Sequence, residues 1–212
     1  MEHSTNKRAA FTGKLQSNIQ VLLNSVPRVA EGRSLGADRV PDRKAIIKLL
    51  NEALATELIC VLRYKRHFSM ATVAHSDTMK ADFLAHATEE MCHAERLAKR
   101  IVQLGGVPNF SPEQLRARSN AEYAAGDTLD IMLRKDLASE RHAIAGYHAM
   151  IAFVGDFDMT TKRMLVEILA SEEQHARDLA AMIEQLKSCS ACLAICAVAA
   201  RAPLRSLIHV LR

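Results

Sequence analysis

The sequence predicts an all-α fold in which four long helices form a bundle. Hydrophobic residues make up 49% of the 212 residues and aromatic residues only 4%, a composition that favours helices over a β-rich core. A chain of this length is sufficient for one substantial core. Four segments repeat their apolar residues with helical spacing, and glycine or proline stands between most of them. These observations indicate one helical domain with a tail at each end.

The four predicted helices are similar in length, at about 28 residues or roughly 40 Å each. They run from about Asp42 to Ala71, Ser76 to Leu104, Asp127 to Val154 and Thr160 to Lys187. The first follows Pro41, a residue that suits a helix start. The second stops before Gly105 and the third before Gly155, as helix C-termini often do. Helices of this length are typical of bundles.

The connections between these helices predict how they are arranged. Residues 72–75 and 155–159 are short links, which join antiparallel neighbours. Residues 105–126 contain two prolines and form a connection of about twenty residues, long enough to cross the length of a bundle. We therefore expect two antiparallel helical hairpins joined by one long crossover.

A Glu-x-x-His motif occurs twice, as Glu90 with His93 and as Glu172 with His175. A separation of three residues leaves the two side chains about 60° apart on one helix face, so both can reach one metal ion. A single copy of so short a pattern is usually a solvated pair. Two copies in corresponding helices indicate a shared metal site.

Each hairpin also offers a glutamate on its other helix. Glu57 precedes Glu90 by 33 residues and Glu140 precedes Glu172 by 32, so the two halves of the chain repeat one layout. One glutamate from each of two helices and Glu-x-x-His from each of the other two is the ligand set of di-iron carboxylate bundles. The predicted metal ligands are Glu57, Glu90, His93, Glu140, Glu172 and His175.

Glu89 competes with Glu90 for a place in this set, because it lies four residues before His93 and shares nearly the same helix face. The residue four before His175 is Ser171, so only the three-residue spacing is common to both halves. The sequence therefore favours Glu90 as the ligand and Glu89 as a flanking or entry-site carboxylate.

The charge of the predicted site favours two divalent ions. Four carboxylates buried together would repel one another, and two Fe²⁺ ions would cancel their charge. Oxygen-rich ligation with two imidazoles suits iron or manganese, whereas cysteine-rich tetrahedra suit structural zinc. We expect two iron ions, with manganese as the alternative, and the oxidation of Fe(II) by O₂ or H₂O₂ as the reaction.

Three blocks of the sequence resemble bacterioferritin, within the ferritin-like superfamily: LNEALATELICVLRYKRH from residue 50, EEMCHAE from residue 89 and SEEQH from residue 171. The resemblance covers about residues 41–187 and implies a ferritin-like four-helix bundle with the six ligands above. It implies that a tyrosine seven positions after the first glutamate, here Tyr64, supports the centre. It also implies that Glu90 and Glu172 are partly terminal ligands and that Glu57 and Glu140 are terminal or bridging.

The same resemblance implies a haem b site at a two-fold subunit interface, because bacterioferritins bind haem through a methionine directly after the glutamate of the second helix. Met91 holds that position here. One residue step rotates a side chain by about 100°, so Met91 should point from the bundle core towards a neighbouring subunit. The alternative is that Met91 is an adaptable interface residue without haem.

The family implies storage of ferric mineral in a homo-oligomeric shell, of 24 subunits as in bacterioferritin or of 12 as in Dps-like proteins. A di-iron or di-manganese redox enzyme that stores no mineral is a further alternative. A third is a DNA-associated protein that protects against oxidative stress, since residues 1–44 carry a net charge of +4 while residues 45–187 carry −3. The basic side chains that would contact DNA are Lys7, Arg8, Lys14, Arg28, Arg33 and Arg39.

The remaining features place the protein in the cytoplasm and away from membranes. The first fifteen residues have no apolar run of the kind that a signal peptide needs, and the five cysteines do not form a disulfide framework. The longest weakly polar run is about 12 residues, too short to span a bilayer. Residues 1–40 are predicted as a basic extension, 41–187 as the bundle, and 188–212, with Cys189, Cys192 and Cys196, as an extension of unassigned role.

Overall fold

The computed structural model describes residues 42–71, 77–121, 123, 126 and 128–199, with only the backbone of Asp77 and of residues 189–199. The described chain contains five α-helices and no strand. They are α1 (Arg43–Met70), α2 (Asp77–Gln103), α3 (Pro112–Arg118), α4 (Leu129–Val154) and α5 (Met159–Ala199). The predicted all-α bundle is confirmed, while the two predicted extensions lie wholly or largely outside the described residues.

Apart from the end of the last helix, the helices begin and end close to the predicted residues, and capping groups are present at several of these ends. The Asp42 side chain accepts a hydrogen bond from the backbone N–H of Lys44 at the start of α1. The Thr128 hydroxyl caps α4 in the same way. Gly105 and Gly155, which follow α2 and α4, have φ values of +77° and +56° that residues with a side chain rarely adopt.

The last helix is longer than the sequence predicts. We expected it to end near Lys187, but α5 continues to Ala199. Residues 188–199 contain neither glycine nor proline, so no residue in this segment interrupts the helix.

The helices pack as the connection lengths predict. Helix α1 packs along α2, and α4 along α5, so each hairpin is an antiparallel pair, while α1 also faces α4 and α2 faces α5. Two apolar clusters fill the bundle, one built around Leu54, Leu97 and Leu165 and the other around Phe83 and Leu133. In each long helix a short stretch of buried polar residues separates the two clusters, so the polar groups meet at mid-bundle.

The crossover carries the short helix α3, which the sequence analysis did not predict. Asn51 on α1 accepts a hydrogen bond from the backbone N–H of Asn109 and donates one to the Val107 carbonyl. The Thr56 hydroxyl accepts from the backbone N–H of Asn120. These contacts hold the crossover against α1. In the part of the chain that the structure describes, every helix is too short or too polar to cross a membrane.

Candidate metal centre

The structure brings all six predicted ligands together at mid-bundle. Each is at most 4% exposed, although all are ionisable. Their ligand atoms form two groups, in each of which the atoms lie within 4.8 Å of one another. The first group is Glu57, Glu90, His93 and Glu172, and the second is Glu90, Glu140, Glu172 and His175. Two adjacent metal positions with four protein ligands each fit this arrangement.

Glu90 and Glu172 are the two residues that both groups share. They lie between the positions, whereas Glu57 with His93 belongs to one position and Glu140 with His175 to the other. The resemblance implied partly terminal roles for Glu90 and Glu172, and this shared placement differs from that expectation. The cause is the helix geometry, since the Glu-x-x-His helices present their glutamates to the middle of the site and their histidines to its ends.

Many of the polar atoms in this cluster lack a hydrogen-bond partner. Both side-chain oxygens of Glu90 and of Glu172, one each of Glu57 and Glu140, and Nδ1 of both histidines are buried and unpartnered. A buried polar atom left unpaired destabilises a folded protein. Oxygen and imidazole donors around one space are what two divalent cations of the iron or manganese type would satisfy, so the donor set fits a two-metal centre.

Four of the predicted ligands have pKa values above their usual range. Burial, and then the charge of Glu90, raises the pKa of Glu57 to about 8. The same two causes raise the pKa of Glu172 well above its usual range. Burial opposes a charge on His93, but the nearby carboxylates of Glu57 and Glu90 outweigh it and raise the pKa to about 10. In the same way, contacts with Glu90 outweigh the burial of His175 and raise its pKa to about 9.

Glu89 lies at the rim of the centre, with its side chain 54% exposed. Its Oε2 is 2.8 Å from Nε2 of His175, and it accepts a hydrogen bond from the Ser171 hydroxyl. The contact on Nε2 leaves Nδ1 of His175 directed into the cluster. Glu89 therefore orients a histidine that could bind metal, while Glu90 occupies the interior position that the spacing argument favoured.

Two tyrosines support the outer glutamates, each from the opposite hairpin. Tyr64 on α1 donates a hydrogen bond to Glu140 Oε1 on α4, and Tyr147 on α4 donates one to Glu57 Oε1 on α1, both at 2.5 Å. Tyr64 thus contacts one of the predicted ligands, and its support of a metal centre stays a prediction. Tyr147 was missed, although it follows Glu140 by seven residues as Tyr64 follows Glu57, and the internal repeat could have revealed it.

A second buried polar group beside Glu140 was also missed. Arg63 is 1% exposed, and its Nε donates to Asp136 Oδ1 at 2.6 Å. His67 Nδ1 is 2.7 Å from the other Asp136 oxygen, and Arg63 also donates to the Ser139 hydroxyl. An ion pair between α1 and α4 depends on how two helices face each other, which the spacing within either helix does not reveal.

Met91 lies outside the cluster and is 37% exposed. Its orientation away from the core agrees with the sequence analysis. The haem itself stays a prediction, because the site implied for it is an interface between two subunits.

A small cleft of about 30 Å³ lies between α1 and α4 on the Glu57 side of the centre. Small side chains create it, because Ala53, Ala143 and Gly146 stand where the two helices face each other. Glu57 and Tyr147 form part of its lining, so the cleft adjoins one of the outer glutamates.

Comparison with known families agrees with this architecture. Residues 47–189 match the Ferritin-like domain family. The bacterioferritin of Mycobacterium bovis is 30% identical over 140 residues, which cover 66% of this chain and 84% of the relative. A bacterioferritin of Desulfovibrio desulfuricans is 29% identical over 137 residues, or 63% of this chain and 72% of the relative.

Two solved structures are similar in fold. A dodecameric thioferritin from Bacteroides fragilis, described as a bacterioferritin-related protein, superposes with a TM-score of 0.68 at 26% identity and covers 82% of this chain and 96% of its own. The Desulfovibrio desulfuricans bacterioferritin, described by its diiron site in different catalytic states, has a TM-score of 0.63 at 25% identity and covers 72% of this chain and 86% of its own. Together with the family match, these similarities show that the chain belongs to the ferritin-like family as a relative of the bacterioferritins.

Proposed function

We propose that this protein stores iron and is a ferroxidase, which binds two Fe²⁺ ions at the mid-bundle cluster and oxidises both to Fe³⁺. The observation that carries the proposal is the pair of overlapping ligand groups, which share Glu90 and Glu172 and differ in their outer glutamate and histidine. The similarity to bacterioferritins supports iron as the metal. Manganese fits the same donor types and remains the alternative metal.

The proposed reaction takes one electron from each bound Fe²⁺. With O₂ as oxidant, two electrons and two protons give H₂O₂; with H₂O₂ as oxidant, two electrons and two protons give two molecules of water. The four carboxylates offset the rise in positive charge from two Fe²⁺ to two Fe³⁺. Electrostatic stabilisation of the oxidised pair is the main contribution that these side chains make.

The tyrosines hold the outer carboxylates in place during this change. Burial, and then the charge of Glu140, raises the pKa of the Tyr64 hydroxyl well above its usual value. Burial, and then Glu57, does the same for Tyr147. Both phenols therefore stay protonated and donate one hydrogen bond each, which fixes one oxygen of each outer glutamate and leaves the other, Oε2 in both residues, directed at the cluster.

We further propose that copies of this chain assemble into a closed shell that stores the ferric product. The assembly of the Bacteroides fragilis relative, a dodecamer, supports the smaller of the two expected shells. DNA binding through the basic N-terminal residues and haem binding at Met91 stay predictions, because residues 1–40 lie outside the described chain and no contact of Met91 tests the second.

The test combines oxidation, retention and size. The metal-free protein is mixed with Fe²⁺ in air, O₂ consumption is recorded, and the product is separated by size with iron and protein measured in each fraction. We expect O₂ uptake and many ferric ions per chain, which elute with a particle of about 12 or 24 chains. Uptake without retained iron would favour the non-storage redox enzyme, and no uptake with either O₂ or H₂O₂ would contradict the ferroxidase.

A further inference from the structure

The repeat that relates the two halves of the bundle is broken at one position beside the metal centre. Glu57 on α1 corresponds to Glu140 on α4, and Tyr64 corresponds to Tyr147. Six residues after each outer glutamate, however, α1 has Arg63 where α4 has Gly146. The longest cationic side chain thus corresponds to a residue with no side chain.

The partners of Arg63 break the repeat in the same way. Arg63 donates to Asp136, and His67 contacts the other carboxylate oxygen of Asp136. In the repeat, Asp136 corresponds to Ala53 and His67 corresponds to Met150. Ala53, Gly146 and Met150 all line the cleft beside Glu57. One end of the centre therefore adjoins a buried charged network, and the other adjoins a small cleft in which none of these three positions carries a charge.

Arg63 places a permanent positive charge close to one outer ligand. Its NH2 lies 3.8 Å from Glu140 Oε1, and both side chains are almost fully buried. Asp136 accepts a hydrogen bond from Nε of the guanidinium, and its other carboxylate oxygen lies 2.7 Å from Nδ1 of His67. The cation is thus turned towards the metal position that includes Glu140, where the interior screens charge less than water does.

We propose that Arg63 makes the two metal positions unequal, so that the position with Glu57 and His93 fills first and the position with Glu140 and His175 fills second and more weakly. This inference rests on the proposed function, since it assumes a two-metal centre. The buried Arg63 cation repels a divalent ion that approaches Glu140, and it also attracts the Glu140 carboxylate that must bind this ion. We therefore expect the affinity of the second position to be at least about tenfold weaker.

The test is a titration of the metal-free full-length protein with Co²⁺, which air does not oxidise, followed by visible absorption and calorimetry. Wild type should bind two Co²⁺ per chain in two steps that differ at least about tenfold in affinity. His175→Ala should abolish the weaker step, and His93→Ala the tighter one. These two variants assign each step to its position.

The decisive variants change charge at the network and leave all six ligands in place. Arg63→Met should bring the two steps together, while Arg63→Lys should keep them apart because it retains the cation. Asp136→Asn should separate them further, because it removes the charge that offsets Arg63. If the network had only a structural role, Arg63→Met and Asp136→Asn would change the ratio of the two Co²⁺ affinities in the same direction, whereas the proposal predicts opposite changes.

Three results would overturn the inference: two equal steps in wild type, an unchanged separation in Arg63→Met, or a smaller separation in Asp136→Asn. If Arg63→Met does not fold, Asp136→Asn and the histidine variants still decide the question. Fewer than two Co²⁺ per chain in wild type would instead contradict the proposed function itself, so the two failures are distinguishable.

Discussion

Tyr147 on α4 donates a hydrogen bond across the bundle to Glu57 on α1, and this contact joins the two hairpins directly at the candidate metal centre. The corresponding tyrosine and glutamate make the same contact in the opposite direction. Each outer ligand is therefore held by the hairpin to which it does not belong. The position of these ligands depends on correct docking of the two halves.

Removing the Tyr147 hydroxyl should lower both the stability of the bundle and the rate of iron oxidation. Tyr147→Phe leaves a Glu57 oxygen buried without its donor, so we expect the free energy of unfolding to fall by about 1–2 kcal/mol. Iron oxidation should slow several-fold. Chemical denaturation and O₂ uptake measure the two effects. Tyr123, which is 42% exposed, offers the control: Tyr123→Phe should change neither quantity, and equal effects in both variants would contradict the role of the contact.

Replacing an acidic residue should reduce metal affinity more strongly the closer that residue lies to the candidate centre. Glu172→Gln removes a ligand that both positions share, so Co²⁺ affinity should fall more than about 100-fold, whereas Glu89→Gln disturbs only the orientation of His175 and should cost about tenfold. The exposed Glu95 provides the control, since Glu95→Gln should bind as wild type does. A larger loss in Glu89→Gln than in Glu172→Gln would reverse the assignment of the two glutamates.

Metal binding should release protons. In the metal-free protein the pKa values of His93, His175 and Glu57 are raised to about 10, 9 and 8. All three groups are thus mostly protonated at pH 7, and a metal ion must displace those protons. Affinity should therefore rise as pH increases from 6 towards 9 and should fall in acid.

Calorimetric titration with Co²⁺ in buffers of different ionisation enthalpy measures this release. We expect more than one proton per chain at pH 7 and fewer at pH 9, where Glu57 and part of the His175 population have already lost theirs. Affinity that does not change with pH, with no buffer-dependent heat, would show that these groups are not the ligands.

The buried ion pair beside the centre should matter far more for folding than an exposed pair on the same helix. Asp136→Ala removes the carboxylate that pairs with the buried Arg63 cation and should lower the free energy of unfolding by about 3–5 kcal/mol. Asp130 on α4 pairs with Arg134 at the surface, and Asp130→Ala should be hard to distinguish from wild type. Thermal and chemical unfolding of both variants would test this, and similar losses would contradict it.

Much of the centre was predictable because helix geometry fixes which residues share a face. The three-residue spacing of Glu90 and His93 placed both side chains at one site, and its repetition at Glu172 and His175 favoured Glu90 over Glu89 for the interior position. The connection lengths predicted the hairpins for a similar reason, since a short link restricts where the next helix can lie. Such features depend on local geometry alone.

The features that the sequence analysis missed depend on contacts between distant helices. The Arg63–Asp136 pair joins residues 73 positions apart and requires one particular rotation of α1 against α4. The cleft beside Glu57 exists because Gly146 faces other small side chains, which neither helix shows by itself. Tyr147 is different, because it follows Glu140 by seven residues as Tyr64 follows Glu57, and this repeat is visible in the sequence.

The most direct test of the two-metal centre is an anomalous difference map from crystals of the protein loaded with Fe²⁺ without oxygen, recorded at the iron edge. We expect two peaks at mid-bundle, one contacted by Glu57 and His93 and the other by Glu140 and His175, with Glu90 and Glu172 contacting both. A single peak, or iron bound only elsewhere in the molecule, would contradict the account.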